Sequence, residues 1–125
     1  MKPLHWMGQC RKELKEFPQD VRREVGFALY LAQSGDKALG AVPLLGFGSS
    51  KVLEVVIDDD GNTFRAVYTV KFKHAVYALA AFQKKSKRGR ETPKPDMERV
   101  RSRLKLAEEH YKANYSRAKK KDAAT

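Results

Sequence analysis

"KVLEVVIDDDGNTFRAVYTV", residues 51–70, decides the fold. Two runs rich in β-branched and aromatic residues, 52–58 and 63–70, flank Asp60-Gly61-Asn62, whose residue types tolerate the positive φ of a tight hairpin turn. A third such run, 75–82, follows after Lys73-His74. Connections this short require antiparallel pairing, because a parallel crossover consumes a dozen residues or more. The stretch therefore predicts a β-meander.

Upstream, residues 9–34 read as two helices parted at Phe17-Pro18, since proline suits a first helical turn and turns the residue before it away from helix. Val21, Val25, Ala28, Leu29 and Ala32 form a core-facing stripe on the second. Gly35 stops that helix, and 40–50 reads as a Gly/Pro-punctuated loop. Residues 3–6 suggest a short strand. Downstream, Pro93 and Pro95 bracket an extended segment, and Asp96 is placed to cap a helix over 97–117 carrying Met97, Val100, Leu104, Ala107, Tyr111 and Tyr115 at spacings of three and four. The expected architecture is α+β: a small antiparallel sheet of three to four strands, two N-terminal helices and one C-terminal helix. The helices are expected on one sheet face, with the other face free for a ligand. One domain over 1–118 and a disordered basic tail over 119–125 complete the reading.

The charge is unevenly distributed. Of a net +11, residues 84–125 contribute +9, with 15 cations against 6 anions. Concentrated positive charge points to a polyanionic partner, whose phosphates release counterions on binding. A solubilising tail is the bland alternative. The single cysteine, Cys10, excludes an internal disulfide, and neither a cysteine pair nor an H-x-x-x-H spacing suggests a metal. No apolar run approaches the ~20 residues of a membrane span, and MKPLHWMGQC lacks a leader pattern. A reduced, cytoplasmic protein needing no cofactor, no metal and no membrane is expected.

Strand alternation places Phe64, Ala66, Tyr68 and Val70 on one face and Arg65, Val67 and Thr69 on the other. A guanidinium on a rigid strand suits bidentate contact with a phosphate; equally, Arg65 could pair with Glu54 across the sheet. Glu54, the sole charge in its apolar strand, could serve as a general base or orient Arg65. Lys71 and Lys73 end one strand, and "AFQKKSKRGRETP", residues 81–93, leaves the next with Lys84, Lys85, Lys87, Arg88 and Arg90 behind Phe82. Cations with an aromatic platform suit RNA. His5, His74 and His110 lie on elements with no evident reason to converge, so a histidine pair is not expected.

KELKEFPQDVRREVGFALYLAQSGD (12–36), PLLGFGSSKVLEV (43–55), DGNTFRAVYTV (60–70) and the segment from His74 to Tyr111 together resemble the phage-derived, HigB-like branch of the RelE/ParE toxin superfamily. The resemblance implies a RelE-like α+β fold and the toxin of a type II toxin-antitoxin system. That toxin would be a ribosome-dependent endoribonuclease cutting mRNA by metal-independent 2′-hydroxyl attack. Its partners would be the ribosome, mRNA and a cognate antitoxin, commonly a helix-turn-helix DNA-binding protein. Position by position it implies Arg65 as the phosphate-stabilising strand arginine, Glu54 as the strand carboxylate, and Lys84 and Lys85 as the basic end of the last strand. Beside these, the cations and aromatic already singled out, Lys71, Lys73, Phe82, Lys87, Arg88 and Arg90, are expected to contact the RNA. One departure stands out: residues 83–95 hold no His or Tyr, where several such ribonucleases keep a catalytic one. Acid and base roles then fall to lysines, to Glu54, or to Tyr68 or Tyr77. A ParE-like gyrase inhibitor and a non-catalytic nucleic-acid binder are the competing readings.

Overall fold

The computed structural model describes residues 1–48, 50–84 and 92–123, with Lys84 and 116–123 described by their backbone alone. Its elements run β1 (Leu4–Trp6), α1 (Cys10–Lys15), α2 (Gln19–Gln33), β2 (Ala41–Pro43), β3 (Val52–Asp59), β4 (Asn62–Thr69), β5 (Val76–Lys84) and α3 (Lys94–Ala123). The sheet has five strands in the order β1-β5-β4-β3-β2, not three to four. It is mixed: β3, β4 and β5 form the expected antiparallel meander, but β1 lies parallel to β5.

The hairpin turn is made as its residues dictate. Asp60 and Gly61 have φ of 49° and 79°, the doubly positive geometry whose twist matches the flanking strands. β2, read from sequence as loop, is an edge strand of three residues. Pro43 is tolerated there because Leu44 supplies the next ladder donor, its N–H reaching Val52 O at 2.9 Å.

The layers differ from expectation. Helices α1 and α2 cover one sheet face, burying Leu14, Val21, Val25 and Leu29 against Val55, Ile57, Phe64 and Tyr68. Helix α3 covers the other, with Val100, Leu104 and Ala107 packed on Val67, Tyr77, Leu79 and Phe82. The helices thus lie on both faces, and the face opposite α1 and α2 is not free. The cause is β5, whose residues 76–82 are all apolar: a strand buried on both sides has no polar face to turn to water. Each fully buried side chain such as Leu79 contributes roughly 2 kcal/mol.

A register shift between Val67 and Tyr68 leaves Leu79 as the extra residue of a bulge in β5. Arg103 of α3 satisfies the freed backbone: Nη1 donates to Leu79 O at 2.8 Å. The same guanidinium grips Glu13 of α1 bidentately, at 2.7 and 2.9 Å, and Ala81 N donates to Glu13 Oε1 at 3.3 Å. One ion pair therefore clips the two helical layers together. Helix α3 starts before Asp96, which lies in the first turn and accepts from Arg99 instead of capping. It also runs beyond 117 to Ala123, because after Pro95 nothing in the stretch to Ala123 breaks a helix and Ala, Lys, Arg and Glu sustain one.

Candidate active site

Arg65 and Glu54 share the α3-facing side of the sheet, and both are buried, at 4% and 7% exposure. Arg65 Nη1 donates to Glu54 Oε2 at 3.1 Å and Oε1 at 3.4 Å, and to Thr92 Oγ1 at 3.2 Å. Thr92 lies two residues before α3 and comes to the strand only because α3 packs over this face. Sequence reasoning gave it no role.

A groove of about 590 Å³ opens beside the pair, lined by Val42, Pro43, Leu44, Leu45, Glu54, Thr92 and Met97. Its walls are apolar and its two functional polar side chains are the Glu54 carboxylate and the Thr92 hydroxyl. Arg65 stands behind both. The far wall is held to α3 by Arg101, which donates to Gly46 O at 3.4 Å and lies 5.1 Å over the Phe47 ring. This arrangement can present a carboxylate to a proton donor in the groove, backed by a fixed positive charge.

Phe82 pairs directly with Arg65 in the ladder, and Lys84 pairs with Thr63, so the end of β5 does reach the neighbourhood of Arg65. Phe82, however, is packed into the core beneath α3, which removes it as an exposed stacking platform. Lys71 and Lys73 follow the opposite end of β4. Lys71 is bound to Glu108 at 2.8 Å, and Lys73 is exposed; neither joins Arg65. Lys85, Lys87, Arg88 and Arg90 lie outside the described residues.

The tyrosines weighed as acids or bases are elsewhere. Tyr68 projects into the α1/α2 core, where burial raises its pKa, and Tyr77 donates or accepts at His110 Nδ1, 2.7 Å away. Cys10 is equally remote from catalysis, its thiol pushed up to about 12 by burial and then by the Glu13 charge. The histidines do converge, against expectation. His5 and His110 rings are 4.6 Å apart, His5 Nε2 bonds Tyr115 Oη at 2.7 Å, and His74 lies against Tyr115. Parallel pairing of β1 with β5 puts His5 opposite Tyr77, and α3 brings His110 over both. The two rings are in contact, which leaves no room for a phosphate between them.

Among the described residues no group of His, Cys, Asp and Glu is arranged to hold a metal ion, and no helix is long and apolar enough to cross a membrane. No curated protein matches the chain. The family model of the phage derived protein Gp49-like (DUF891) matches residues 12–105, which run from within α1 through the first two fifths of α3 and take in every residue of the groove. The chain belongs to this Gp49-like family, part of the RelE/ParE-like group of toxins from toxin-antitoxin systems.

Proposed function

We propose that the chain is the toxin of a type II toxin-antitoxin pair, that it cuts mRNA on the ribosome, and that its cognate antitoxin is a DNA-binding protein of the helix-turn-helix kind. The observation that carries this reading is the buried Arg65–Glu54 pair at the foot of the groove, with Thr92 Oγ1 on the same guanidinium. That hydroxyl oxygen stands where a phosphate oxygen would accept from Arg65.

With Tyr68, Tyr77 and the histidines placed elsewhere, Glu54 is the described group suited to the general base. It takes the proton from the RNA 2′-hydroxyl as that oxygen attacks the adjacent phosphorus. Arg65 stabilises the negative charge that builds on the phosphorane. The bond from phosphorus to the 5′-oxygen breaks, and the ammonium group of Lys84, or of Lys85 next in sequence, protonates the leaving oxygen. The products are a 2′,3′-cyclic phosphate and a 5′-hydroxyl, and no metal enters any step. The basic run beyond Phe82, with Lys87, Arg88 and Arg90, holds ribosomal RNA or message.

Induced expression is the test. Growth arrest with transcripts cut inside translated codons is expected, and Arg65→Lys, which keeps charge but loses the fork, is expected to abolish cutting. Arrest with intact transcripts and damaged DNA would overturn the ribonuclease in favour of a gyrase inhibitor.

A further inference from the structure

Four aromatic rings form a near-parallel ladder at the end of the sheet away from Lys84. Phe72 and Tyr111 are 4.4 Å apart at 27°, Tyr111 and Tyr115 are 4.7 Å apart at 18°, and Tyr115 and His74 are 6.5 Å apart at 17°. Tyr111 and Tyr115 share a face of α3 because they are four residues apart. The ladder is fixed: His74 N donates to Tyr111 Oη at 3.3 Å, and Tyr115 Oη is bonded to His5. It ends in His74, which is exposed.

His74 also lines a groove of about 590 Å³, together with Lys2, Lys73, Gln33 and Ser34, and no carboxylate lines it. An adjoining groove of about 520 Å³ shares Lys2, adds Lys37 and Lys51, and has Asp36 as its one carboxylate. Four lysines thus face one acid around an exposed, stacked ring. A small anion or an acidic peptide would use the lysines but has no need of a flat ring. An unpaired nucleobase uses both, since its face stacks on an aromatic ring while its flanking phosphates meet cations.

We propose that this end of the sheet binds single-stranded RNA, with one base stacked on His74 and neighbouring phosphates held by Lys73 and Lys2. The site deepens the ribonuclease reading by giving the message a second hold. It is separated from Lys84 by the six residue steps along β4 from Thr63 to Thr69, about 20 Å at strand rise.

The test uses the full chain and a 2′-O-methyl oligoribonucleotide carrying one 2-aminopurine, which lacks the attacking hydroxyl and cannot be cut. Binding is expected to quench the 2-aminopurine. His74→Ala is expected to remove the quench and weaken binding about 5- to 150-fold, the range that base stacking spans; His74→Tyr restores both. Lys73→Ala and Lys2→Ala each lower the salt slope by roughly 0.7. Unchanged quench and affinity in a folded His74→Ala chain would overturn the site, as would displacement of the RNA by poly-glutamate with the same dependence on His74. Transcript mapping reports on Arg65 alone. Uncut message with intact quenching would therefore remove the ribonuclease and leave this site, and the reverse result would do the opposite.

Discussion

Arg65 and Glu54 are bonded diagonally, not directly, across the β3–β4 ladder: Arg65 stands opposite Val56 and Glu54 opposite Val67, yet Nη1 reaches both carboxylate oxygens. Only a side chain as long as arginine spans that offset, and in doing so it leaves the carboxylate at the groove wall with the cation behind it.

Breaking this pair on one side leaves an uncompensated buried charge. Glu54→Ala is expected to lower unfolding free energy by about 3–5 kcal/mol, whereas replacing both partners with apolar residues of similar volume restores most of it. The double variant Glu54→Leu with Arg65→Met separates stability from activity. It should melt near the unsubstituted chain and no longer arrest growth. Arrest by that well-folded double variant would rule the pair out of the chemistry.

The Glu13–Arg103 clip predicts an acid-side loss of stability. Burial alone would raise the Glu13 pKa, but the Arg103 hydrogen bond, the Ala81 N–H and the Arg103 and Arg99 charges together bring it below its usual 4.5. A depressed carboxylate stabilises the fold fully above its unfolded pKa and loses that contribution as pH falls from 4.5 through the folded value. Denaturant titrations should show this slope below pH 4.5 and its disappearance in Glu13→Gln, which also costs about 1.5–3 kcal/mol at neutral pH. Gly8→Ala should mimic part of the cost, because Gly8 has φ of 54° and an added Cβ would sit 2.8 Å from Arg103 Nε.

The hairpin was legible because Asp60-Gly61 encodes its own geometry, and α2 was legible because one apolar stripe has one meaning. The placement of α3 was also written in the chain, in the unbroken apolar run of β5, but such a run indicates burial on both sides without saying by what. β2 was not legible. Three residues including a proline form a strand only when β3 already offers an edge. At the site, alternation set Arg65 apart from Phe64 and Tyr68, and a cross-sheet pair with Glu54 was one of the two readings it left open. Thr92 could not be anticipated, being 27 residues from its partner, and neither could the meeting of His5 with His110, since it depends on two long-range packings at once.

That histidine cluster predicts a second pH window. The His5 ring faces Tyr77, His110 and Tyr115, and its pKa is lowered from 6.5, first by burial and then by the His110 charge. The folded state therefore takes up a proton on His5 less readily than the unfolded state does. The unfolded state begins to take up the proton near pH 6.5, so the stabilisation is complete above that value and is lost as pH falls from it toward the folded pKa. Stability at about pH 5.5 should be lower than at about pH 7.5, with Glu13 still ionised at both. His5→Gln should flatten this slope and leave the one below pH 4.5 untouched; a slope unchanged in His5→Gln would place its origin elsewhere.

Tyr68 gives the last prediction. Its ring is 1% exposed, and its hydroxyl has no hydrogen-bond partner among the described residues. A buried, unsatisfied hydroxyl costs desolvation without return, so Tyr68→Phe should leave stability unchanged or raise it by about 1 kcal/mol. The contrast is Tyr77→Phe, which forfeits the 2.7 Å bond to His110 and should cost about 1 kcal/mol. Neither substitution should affect growth arrest, because neither hydroxyl reaches the groove beside Glu54. A Tyr68→Phe chain that melts normally but no longer arrests growth would return this tyrosine to the candidates for the acid and base roles.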